Sequence, residues 1–300
     1  MNILGFIERA GLQVPLLKSY FRSRNFSRFV PPGHFYSPIP SDQDIERCLK
    51  SRSSLENTPG LELRIEAQRD LVTSLARFYG EMPFQAQPSG NLRYYFENSY
   101  YSYGDAIFLH LIIRHLKPRR IVEIGSGFSS AMMLDTVRMF NSGSTKLTFI
   151  EPHTERLRSL LQPEDSDCCE IIEKNVQDAD PGVFTALESG DILFVDSSHV
   201  SKAGSDVNYL LFEVFPRLKP GVWIHIHDVF PGFEYPEAWL KEGRAWNESY
   251  LVRAFLLFND SFEIMLHGPF CVDRHRGWFQ ENMPACLKNP GGSLWLRRKQ

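Results

Sequence analysis

A strand, a glycine turn and the start of a helix follow one another in residues 122–130, VEIGSGFSS. Gly125 and Gly127 allow a tight backbone turn and let a ligand approach the main chain, while the helix start offers free N–H groups to an anionic ligand. A dinucleotide site favours Gly or Ala at position 130, where this chain has Ser130. Because the turn follows the first strand of the predicted sheet, it predicts a ligand-binding loop.

Two acidic residues end the strands predicted next to this one. Glu151 is the last residue of KLTFIE, and Asp196 is the last residue of DILFVD. Open α/β sheets bind ligands at the carboxyl ends of their strands, and an acid after the second strand accepts hydrogen bonds from ribose hydroxyls. The alternative for Glu151 is an ordinary strand-end carboxylate that serves the following helix. We expect the ribose role for Glu151.

Histidine and aspartate residues near these strand ends point to acid–base or metal chemistry. His199 follows Asp196 by three residues, and its ordinary pKa near 6.5 suits a general base at neutral pH. Asp196 and Asp228 end neighbouring strands and would form a carboxylate pair that suits Mg²⁺. His227 would admit a softer divalent ion. The alternatives are a locally hydrogen-bonded His199, an Asp196 that only orients a cofactor, and a His227 that is packed, as we expect for His225.

The elements that must position these residues are strands and helices in alternation. Seven apolar runs predict strands: RIVEIG, KLTFIE, CEIIEK, DILFVD, VWIHIHD, FEIMLHG and SLWLRRK. Helical segments between the earlier runs are typical of βαβ units, which place helices on both faces of a parallel sheet. Only a long loop joins the last two runs, so we expect an antiparallel pair at one edge. The sequence therefore predicts an α/β fold with a doubly wound, mostly parallel sheet.

The first 80 residues are expected to form an N-terminal arm and helical extension, and residues 81–300 the main domain. Helical patterns cover DQDIERCLKS at 42–51 and ELRIEAQRDLVTSLARFYG at 62–80. Basic residues dominate the first thirty positions and predict a solvated arm, with contact to an acidic membrane surface or a partner as the alternative. The tyrosine-rich segment 94–103 is expected either to pack at the surface or to cover a substrate as a lid.

Composition and charge exclude several functional classes. Of 300 residues, 43% are hydrophobic and 23% charged, which excludes wholesale disorder, and the net charge of −3 gives no general attraction to nucleic acid. The chain has no apolar run of about 18 residues, so no transmembrane helix is expected, and the N-terminus lacks the pattern of a secretion signal. Five cysteines without a CxxC spacing favour reduced thiols and a cytoplasmic location over a zinc site.

The motifs at the strand ends resemble those of class I S-adenosylmethionine-dependent methyltransferases. VEIGSG resembles their first motif, IEP the segment with the ribose-binding acid, and NVQD the segment that lines the adenine. YYFENSYYSYGDAIFLHLIIRH and DILFVDSSHVSKAGSDVNYLLFEV are similar to a bacterial small-molecule group related to catechol-type O-methyltransferases. The resemblance covers residues 35–300 approximately. It implies a Rossmann-like, seven-stranded sheet in which SLWLRRK is the inserted, antiparallel last strand.

The resemblance implies S-adenosylmethionine as the cofactor and a hydroxyl of a small or carbohydrate-like molecule as the methyl acceptor. The implied cofactor contacts are Glu123, Gly125, Ser126, Gly127, Ser129, Glu151, Gln177, Asp178, Asp196, Tyr103 and Gly104. His199 falls where the catechol enzymes carry a basic lysine, so the resemblance implies that it is the general base, beside Asp196 as the second catalytic residue.

The resemblance also raises the expectation of Mg²⁺ or another divalent metal. Asp196 falls on the metal-binding acid of the catechol-type enzymes, and His227 and Asp228 fall on the acidic or amide pair after strand five. Asp196, His227 and Asp228 are therefore the implied metal ligands. Histidine at the first position of that pair departs from the family pattern.

Two other functions stay open at the level of the sequence. Two features argue against a nicotinamide-dependent oxidoreductase: Ser130 in the glycine turn, and Asp196 at the end of strand four near a histidine. A non-catalytic nucleoside-binding protein would bind the cofactor without turnover, and replacing His199 would change nothing. Nucleic acid is not an expected partner, because the core has no basic stripe and no Asn-Pro-Pro-aromatic motif follows strand four. The segment after Asp228 would supply acceptor contacts, a lid or a homodimer surface: Glu234, Tyr235, Arg244, Trp246, Asn247 and Glu248.

Overall fold

The computed structural model describes residues 29–51, 58–141 and 143–299. These residues divide into two compact units: one holds 29–51 and 236–245, and the other holds the remaining described residues. The arm expected at the start of the chain lies outside the described residues up to position 28. In the described part of the chain, no helix is long and apolar enough to cross a membrane.

The second unit contains a seven-stranded sheet. The strands are β1 (Arg120–Ile124), β2 (Lys146–Ile150), β3 (Cys169–Ile172), β4 (Ile192–Val195), β5 (Trp223–Ile226), β6 (Phe262–His267) and β7 (Leu294–Arg298). Their order is β3-β2-β1-β4-β5-β7-β6, and β7 runs antiparallel to both of its neighbours while the other pairs are parallel. The predicted α/β fold with an inserted antiparallel last strand is confirmed.

Helices occur in nearly every connection. They are α1 (Asp42–Ser51), α2 (Ile65–Leu75), α3 (Tyr103–Leu116), α4 (Phe128–Phe140), α5 (Glu155–Leu160), α6 (Gly182–Thr185), α7 (Asp206–Tyr209), α8 (Glu237–Lys241), α9 (Glu248–Leu256), α10 (Gly268–Arg274) and α11 (Arg276–Asn282). Helix α2 belongs to the unit of the sheet, although the sequence assigned it to the N-terminal extension. The connection from β6 to β7 is not a plain loop as predicted, because it folds into α10 and α11, whose Phe270 and Phe279 are buried.

After β4, the segment SDVNYLLFEVF has the apolar pattern of a helix, but the α-helix α7 covers only its first part. A π turn (Leu210–Val214) and a 3-10 turn (Phe215–Arg217) follow α7. Pro216 has no N–H group to continue the α-helical hydrogen bonds, and the backbone widens until the N–H of Phe215 donates to the carbonyl of Leu210. Further 3-10 turns cover Ala76–Glu81, Pro163–Asp167, Val176–Asp178, Pro231–Phe233 and Pro284–Leu287.

The register of the parallel strands brings their carboxyl ends to one edge of the sheet. Ile124 of β1 pairs with Ile150 of β2 and with Val195 of β4, and Val195 pairs with Ile226 of β5. The residues that follow these strand ends therefore lie at the same edge of the sheet. Parallel pairing alone thus places the predicted glycine turn, both strand-end acids and the His–Asp pair around one region.

Much of the tyrosine-rich segment 94–103 packs into the core, whereas the sequence offered surface packing or a substrate lid. Tyr94, Tyr101 and Tyr103 are buried, while Tyr100 is exposed. The Tyr94 hydroxyl donates to the Tyr101 carbonyl at 2.7 Å, and the Tyr101 hydroxyl donates to the Asp105 carbonyl at 3.1 Å. A lid movement of this segment would expose three aromatic rings to water, which the burial of apolar surface opposes.

A buried arginine fixes this segment to helix α4. The Arg93 guanidinium donates to Asp135 Oδ1 at 3.1 Å and to Asp165 Oδ1 at 2.7 Å, and all three side chains are almost completely buried. The backbone N–H groups of Arg93 and Tyr94 donate to the other oxygen of Asp135 at 2.8 and 3.0 Å. The network ties the aromatic segment to the helix that follows the glycine turn.

Replacing Arg93 by methionine is expected to lower the free energy of unfolding by about 3–5 kcal/mol, because two buried carboxylates lose their cation. Urea unfolding followed by circular dichroism measures the change. The control is Arg138→Met, which removes a guanidinium that bonds the neighbouring Gln162 from an exposed position. A loss below about 1 kcal/mol for Arg93→Met, as for a surface ion pair, would contradict this account of the network.

Candidate functional site

A cavity of about 390 Å³ opens at the carboxyl ends of β1, β2 and β4. Its lining is rich in polar groups and includes three carboxylates. The lining residues are Ile124, Gly125, Ile150, Glu151, Pro152, His153, Asn175, Val176, Gln177, Asp196, Ser197, Ser198, Lys202, Gly204, Ser205 and Asp206. Of the residues predicted to bind a cofactor, Gly125, Glu151, Gln177 and Asp196 line this cavity together.

The turn after β1 requires glycine at position 125. Its φ is +80°, a backbone conformation that residues with a side chain rarely adopt. Its N–H donates to the Ile150 carbonyl at 3.1 Å, and a Cβ atom at this position would lie 1.7 Å from the carbonyl oxygen of Asp196. The turn therefore passes directly over the end of β4, which a side chain at position 125 would prevent.

Backbone groups hold the carboxylate of Glu151 at the cavity. The N–H of Ser126 donates to its Oε2 at 3.0 Å, and the N–H of His153 donates to its Oε1 at 2.7 Å. An ionised carboxylate accepts about four hydrogen bonds. Glu151 is thus oriented by two donors and keeps acceptor capacity for hydroxyl groups in the cavity.

Glu123 and Ser129, two of the predicted cofactor contacts, lie beneath the turn and do not line the cavity. Glu123 has no exposed surface and accepts hydrogen bonds from the hydroxyls of Ser129 and Ser130. Burial raises the pKa of Glu123 to about 8. Ser130 also accepts a hydrogen bond from the N–H of Gly127 at 3.0 Å, so the serine at the position that dinucleotide sites give to Gly or Ala packs the turn from inside.

The remaining predicted cofactor contacts outside the lining are Ser126, Gly127, Tyr103, Gly104 and Asp178. Tyr103 stacks on Phe96 with ring centroids 4.9 Å apart. Gly104 donates its N–H to the Asn289 carbonyl at 2.8 Å, and Asp178 is exposed. Gln177, which does line the cavity, donates to the Gly204 carbonyl at 2.7 Å.

His199 lies among three carboxylates next to this cavity. Its Nδ1 is 2.9 Å from Glu248 Oε2, and its Nε2 is 3.4 Å from Asp196 Oδ1 and 3.6 Å from Asp228 Oδ2. The ring is 6% exposed, and the ring of Trp246 lies 4.5 Å from it, centroid to centroid. The structure thus brings together His199, Asp196 and Asp228, as the sequence predicted.

These charges set the protonation of the cluster. Burial alone would lower the pKa of His199, but the carboxylates of Asp196 and Glu248 outweigh it and raise that pKa well above its ordinary value. Burial would raise the pKa of Asp196, yet the neighbouring His227 and His199 hold it below its usual range. The carboxylates around His199 therefore favour its protonated, imidazolium form.

His227 and Asp228 end β5 against a glycine loop. His227 Nε2 lies 3.5 Å from Asp228 Oδ1, and Asp228 has a φ of +57°. A Cβ atom on Gly292 would lie 2.9 Å from the Cα of Asp228, and the N–H of Gly292 donates to the buried Asp105 at 2.9 Å. His225 is packed, as expected, with its ring against that of Trp295 at 4.8 Å.

The implied metal ligands, Asp196, His227 and Asp228, do not fit a divalent ion in this arrangement. Nε2 of His199 lies 3.4 Å from Asp196 Oδ1 and 3.6 Å from Asp228 Oδ2, so the imidazole occupies the position beside both carboxylates that a bridging cation would need. Among the residues that the structure describes, no three His, Cys, Asp or Glu side chains are grouped so that they could hold a metal ion.

Removal of metal ions is expected to leave the activity of the protein unchanged, because His199 already occupies the position beside the carboxylate pair. The test compares initial rates before and after dialysis against EDTA, with Mg²⁺ or Mn²⁺ added back to the dialysed enzyme as the control. If activity is lost on dialysis and Mg²⁺ restores it, the conclusion that these residues do not hold a divalent ion is contradicted.

Sequence reasoning missed several residues of the site. Asp206 lines the cavity and accepts hydrogen bonds from the N–H and hydroxyl of Ser198 at 2.8 and 2.5 Å, and its position after the cap Ser205 was the available signal. Glu248 was named for an acceptor contact, a lid or a homodimer surface, and the structure places its carboxylate against His199. The Gly291–Gly292 pair after Pro290 was the signal for the close approach to Asp105 and Asp228.

Solved structures with a similar fold include two methyltransferases. One is the S-adenosylhomocysteine-bound methyltransferase PaMTH1 of Podospora anserina, with 17% identity, a TM-score of 0.44, and coverage of 88% of this chain and 99% of that chain. The other is the O-methyltransferase TomG of Streptomyces achromogenes, involved in tomaymycin synthesis and solved with S-adenosylmethionine, with 16% identity, a TM-score of 0.41, and coverage of 84% and 95%.

Sequence comparisons assign the family. A family model described as a methyltransferase domain matches residues 122–229, which run from the glycine turn to the end of the His–Asp pair. An uncharacterized protein of Archaeoglobus fulgidus is 32% identical over 177 residues, which are 56% of this chain and 78% of that protein. Together with the sheet order and the motifs at its strand ends, the family-model match shows that residues 122–229 form a methyltransferase domain of the class I, S-adenosylmethionine-dependent kind.

Proposed function

We propose that this methyltransferase transfers the methyl group of S-adenosylmethionine to a hydroxyl of a small acceptor, and that His199 takes the hydroxyl proton. The observation that carries the proposal is a buried histidine whose Nε2 points between two strand-end carboxylates beside the cavity. The cofactor supplies an electrophilic methyl group on a positively charged sulfur.

The lining of the cavity supports binding of the cofactor there. Glu151 is held by two backbone donors and offers acceptor sites to ribose hydroxyls. Gln177, Asn175 and Val176 form a neighbouring wall that suits the adenine. Asp196 presents a negative charge to the same cavity, which favours a cationic cofactor over the neutral product.

His199 and its neighbours suit the proton step of methyl transfer to an alcohol. The acceptor oxygen forms a bond to the methyl carbon while the carbon–sulfur bond breaks, and that electron pair stays on sulfur. The hydroxyl proton passes to Nε2 of His199 in its neutral form, and the new imidazolium is stabilised by Asp196 and Asp228. Holding oxygen, carbon and sulfur in line supplies the rest of the rate enhancement.

The surroundings of His199 favour a flat, hydroxylated acceptor. Trp246 lies beside the imidazole, and Tyr235 lies edge-on to Trp246 with centroids 6.2 Å apart. The Tyr235 hydroxyl accepts a hydrogen bond from the N–H of Ser249 at 3.0 Å, which fixes this ring. Aromatic faces next to carboxylates suit phenols and sugar rings, so we propose acceptors of these two classes.

The test uses S-adenosylmethionine with a labelled methyl group and a panel of phenols, methyl glycosides, amines and thiols. We expect label in the hydroxyl compounds and none in the amines and thiols. Label in amines or thiols alone would contradict hydroxyl transfer. Tight cofactor binding without label in any panel compound would favour the non-catalytic nucleoside-binding protein.

A further inference from the structure

Glu248 is buried although it is an acid at the mouth of the site. It begins helix α9, and 4% of its surface is exposed. Its Oε2 lies 2.9 Å from Nδ1 of His199, across 49 positions of sequence. A buried carboxylate needs a charged or hydrogen-bonding partner, and here the partner is the imidazole ring.

The start of α9 also holds the backbone of His199. His199 has a φ of +59°, in the left-handed region that favours glycine. Its carbonyl accepts hydrogen bonds from the N–H groups of Asn247 and Glu248, both at 3.1 Å. The Asn247 side chain accepts a further hydrogen bond from the N–H of Ser201 at 2.6 Å. Two hydrogen bonds donated by the start of α9 and one accepted there thus keep the loop in a strained conformation that points the ring at the site.

The contact decides which ring nitrogen faces the reaction. With Glu248 accepting from Nδ1–H, the other nitrogen, Nε2, faces Asp196 and Asp228. Rotation of the ring by half a turn would direct a carbon atom at Glu248 and leave that carboxylate buried without its donor. Trp246 limits the movement of the ring from one side.

We infer that Glu248 is a positioning residue of the methyl transfer: it fixes the Nδ1–H form and the orientation of His199, so that Nε2 receives the acceptor proton. The inference rests on the proposed role of His199. It also gives Glu248 a different role from the acceptor contact that the sequence suggested, because its carboxylate is turned away from solvent and bound to the ring.

The experiment compares Glu248→Gln with Glu155→Gln in the full-length protein. Glu155 is a matched control because it also begins a helix, α5, but is exposed and does not line the cavity. Two quantities are measured for each variant: steady-state kinetics with S-adenosylmethionine and the best hydroxyl acceptor of the panel above, and ¹⁵N NMR of histidine-labelled protein. The signal of His199 is assigned by its absence in His199→Gln.

Glu248→Gln is expected to lower kcat by about 10²-fold, with KM for S-adenosylmethionine unchanged, and to shift the Nδ1 signal of His199. Glu155→Gln should change neither quantity. A wild-type kcat and an unshifted Nδ1 signal in Glu248→Gln would overturn the inference. A lowered kcat with an unshifted signal would also overturn it, since Glu248 would then act by another route.

Two further variants keep the test decisive. If Glu248→Gln does not fold, Glu248→Asp retains the charge with a shorter reach, and the same Nδ1 shift with a smaller loss of kcat is expected. In the double variant with His199→Gln, loss of Glu248 should cost nothing more, because both changes remove one function. If the wild-type protein methylates no hydroxyl compound, the proposed function has failed, while the NMR comparison still decides whether Glu248 fixes the ring.

Discussion

Replacing His199 by glutamine is expected to lower kcat by about 10²- to 10⁴-fold, which is the usual contribution of a general base. Glutamine keeps a polar side chain but cannot take up the acceptor proton. The affinity for S-adenosylhomocysteine should stay at the wild-type level, because His199 does not line the cavity that holds Glu151 and Gln177. The measurements are initial rates and calorimetric titration with S-adenosylhomocysteine, and His275→Gln in the β6–β7 connection is the control.

The same residue should set the pH dependence of the wild-type enzyme. Because Asp196 and Glu248 hold the pKa of His199 above its ordinary value despite burial, the neutral form that accepts a proton is populated only as the pH rises through that raised pKa. The value of kcat/KM should therefore rise with pH through that raised pKa and level off above it. An unchanged rising limb in His199→Gln, or a wild-type level of kcat in that variant, would show that another group takes the proton.

Replacing Gly125 by alanine should abolish cofactor binding or weaken it by more than about 100-fold, with a stability loss of about 4 kcal/mol or more. The added Cβ would lie 1.7 Å from the Asp196 carbonyl, so β4 or the turn must move. The left-handed φ of +80° adds a cost of its own. Calorimetry with S-adenosylhomocysteine and urea unfolding measure the two effects.

The matched control for this change is Gly190→Ala. Gly190 has a φ of +85°, and apart from Gly190 and its two chain neighbours, no atom of the described residues lies within 4 Å of the point that an added Cβ would occupy. The substitution therefore introduces the backbone strain without the overlap. It should lose about 1–2 kcal/mol of stability and keep the cofactor affinity. Equal effects of the two substitutions would show that the close approach of the turn to β4 is unimportant.

Strand-end residues could be predicted from the sequence because parallel pairing does most of the positioning. Once β1, β2, β4 and β5 are aligned, the residues that follow them meet at one edge of the sheet. This alignment was sufficient to predict the positions of Gly125, Glu151, Asp196 and Asp228. The motif resemblance added the cofactor. Local patterns and sheet topology thus agree for this half of the site.

Contacts that depend on loop geometry were not predictable in the same way. Glu248 reaches His199 because His199 adopts a left-handed backbone conformation, and no residue pattern in its loop predicts that conformation. Tyr94 and Tyr101 are buried in a segment that Arg93 ties to two carboxylates far along the chain. These positions result from long-range packing, which periodicity does not encode.

The central claim is that the cavity at the ends of β1, β2 and β4 binds the sulfur nucleoside, and calorimetric titration of the wild-type protein with S-adenosylhomocysteine tests it most directly. We expect one-to-one binding in the micromolar range, no heat of binding with NAD, and weaker binding by Glu151→Gln. Absence of binding to S-adenosylhomocysteine, or equal binding by Glu151→Gln, would contradict the claim.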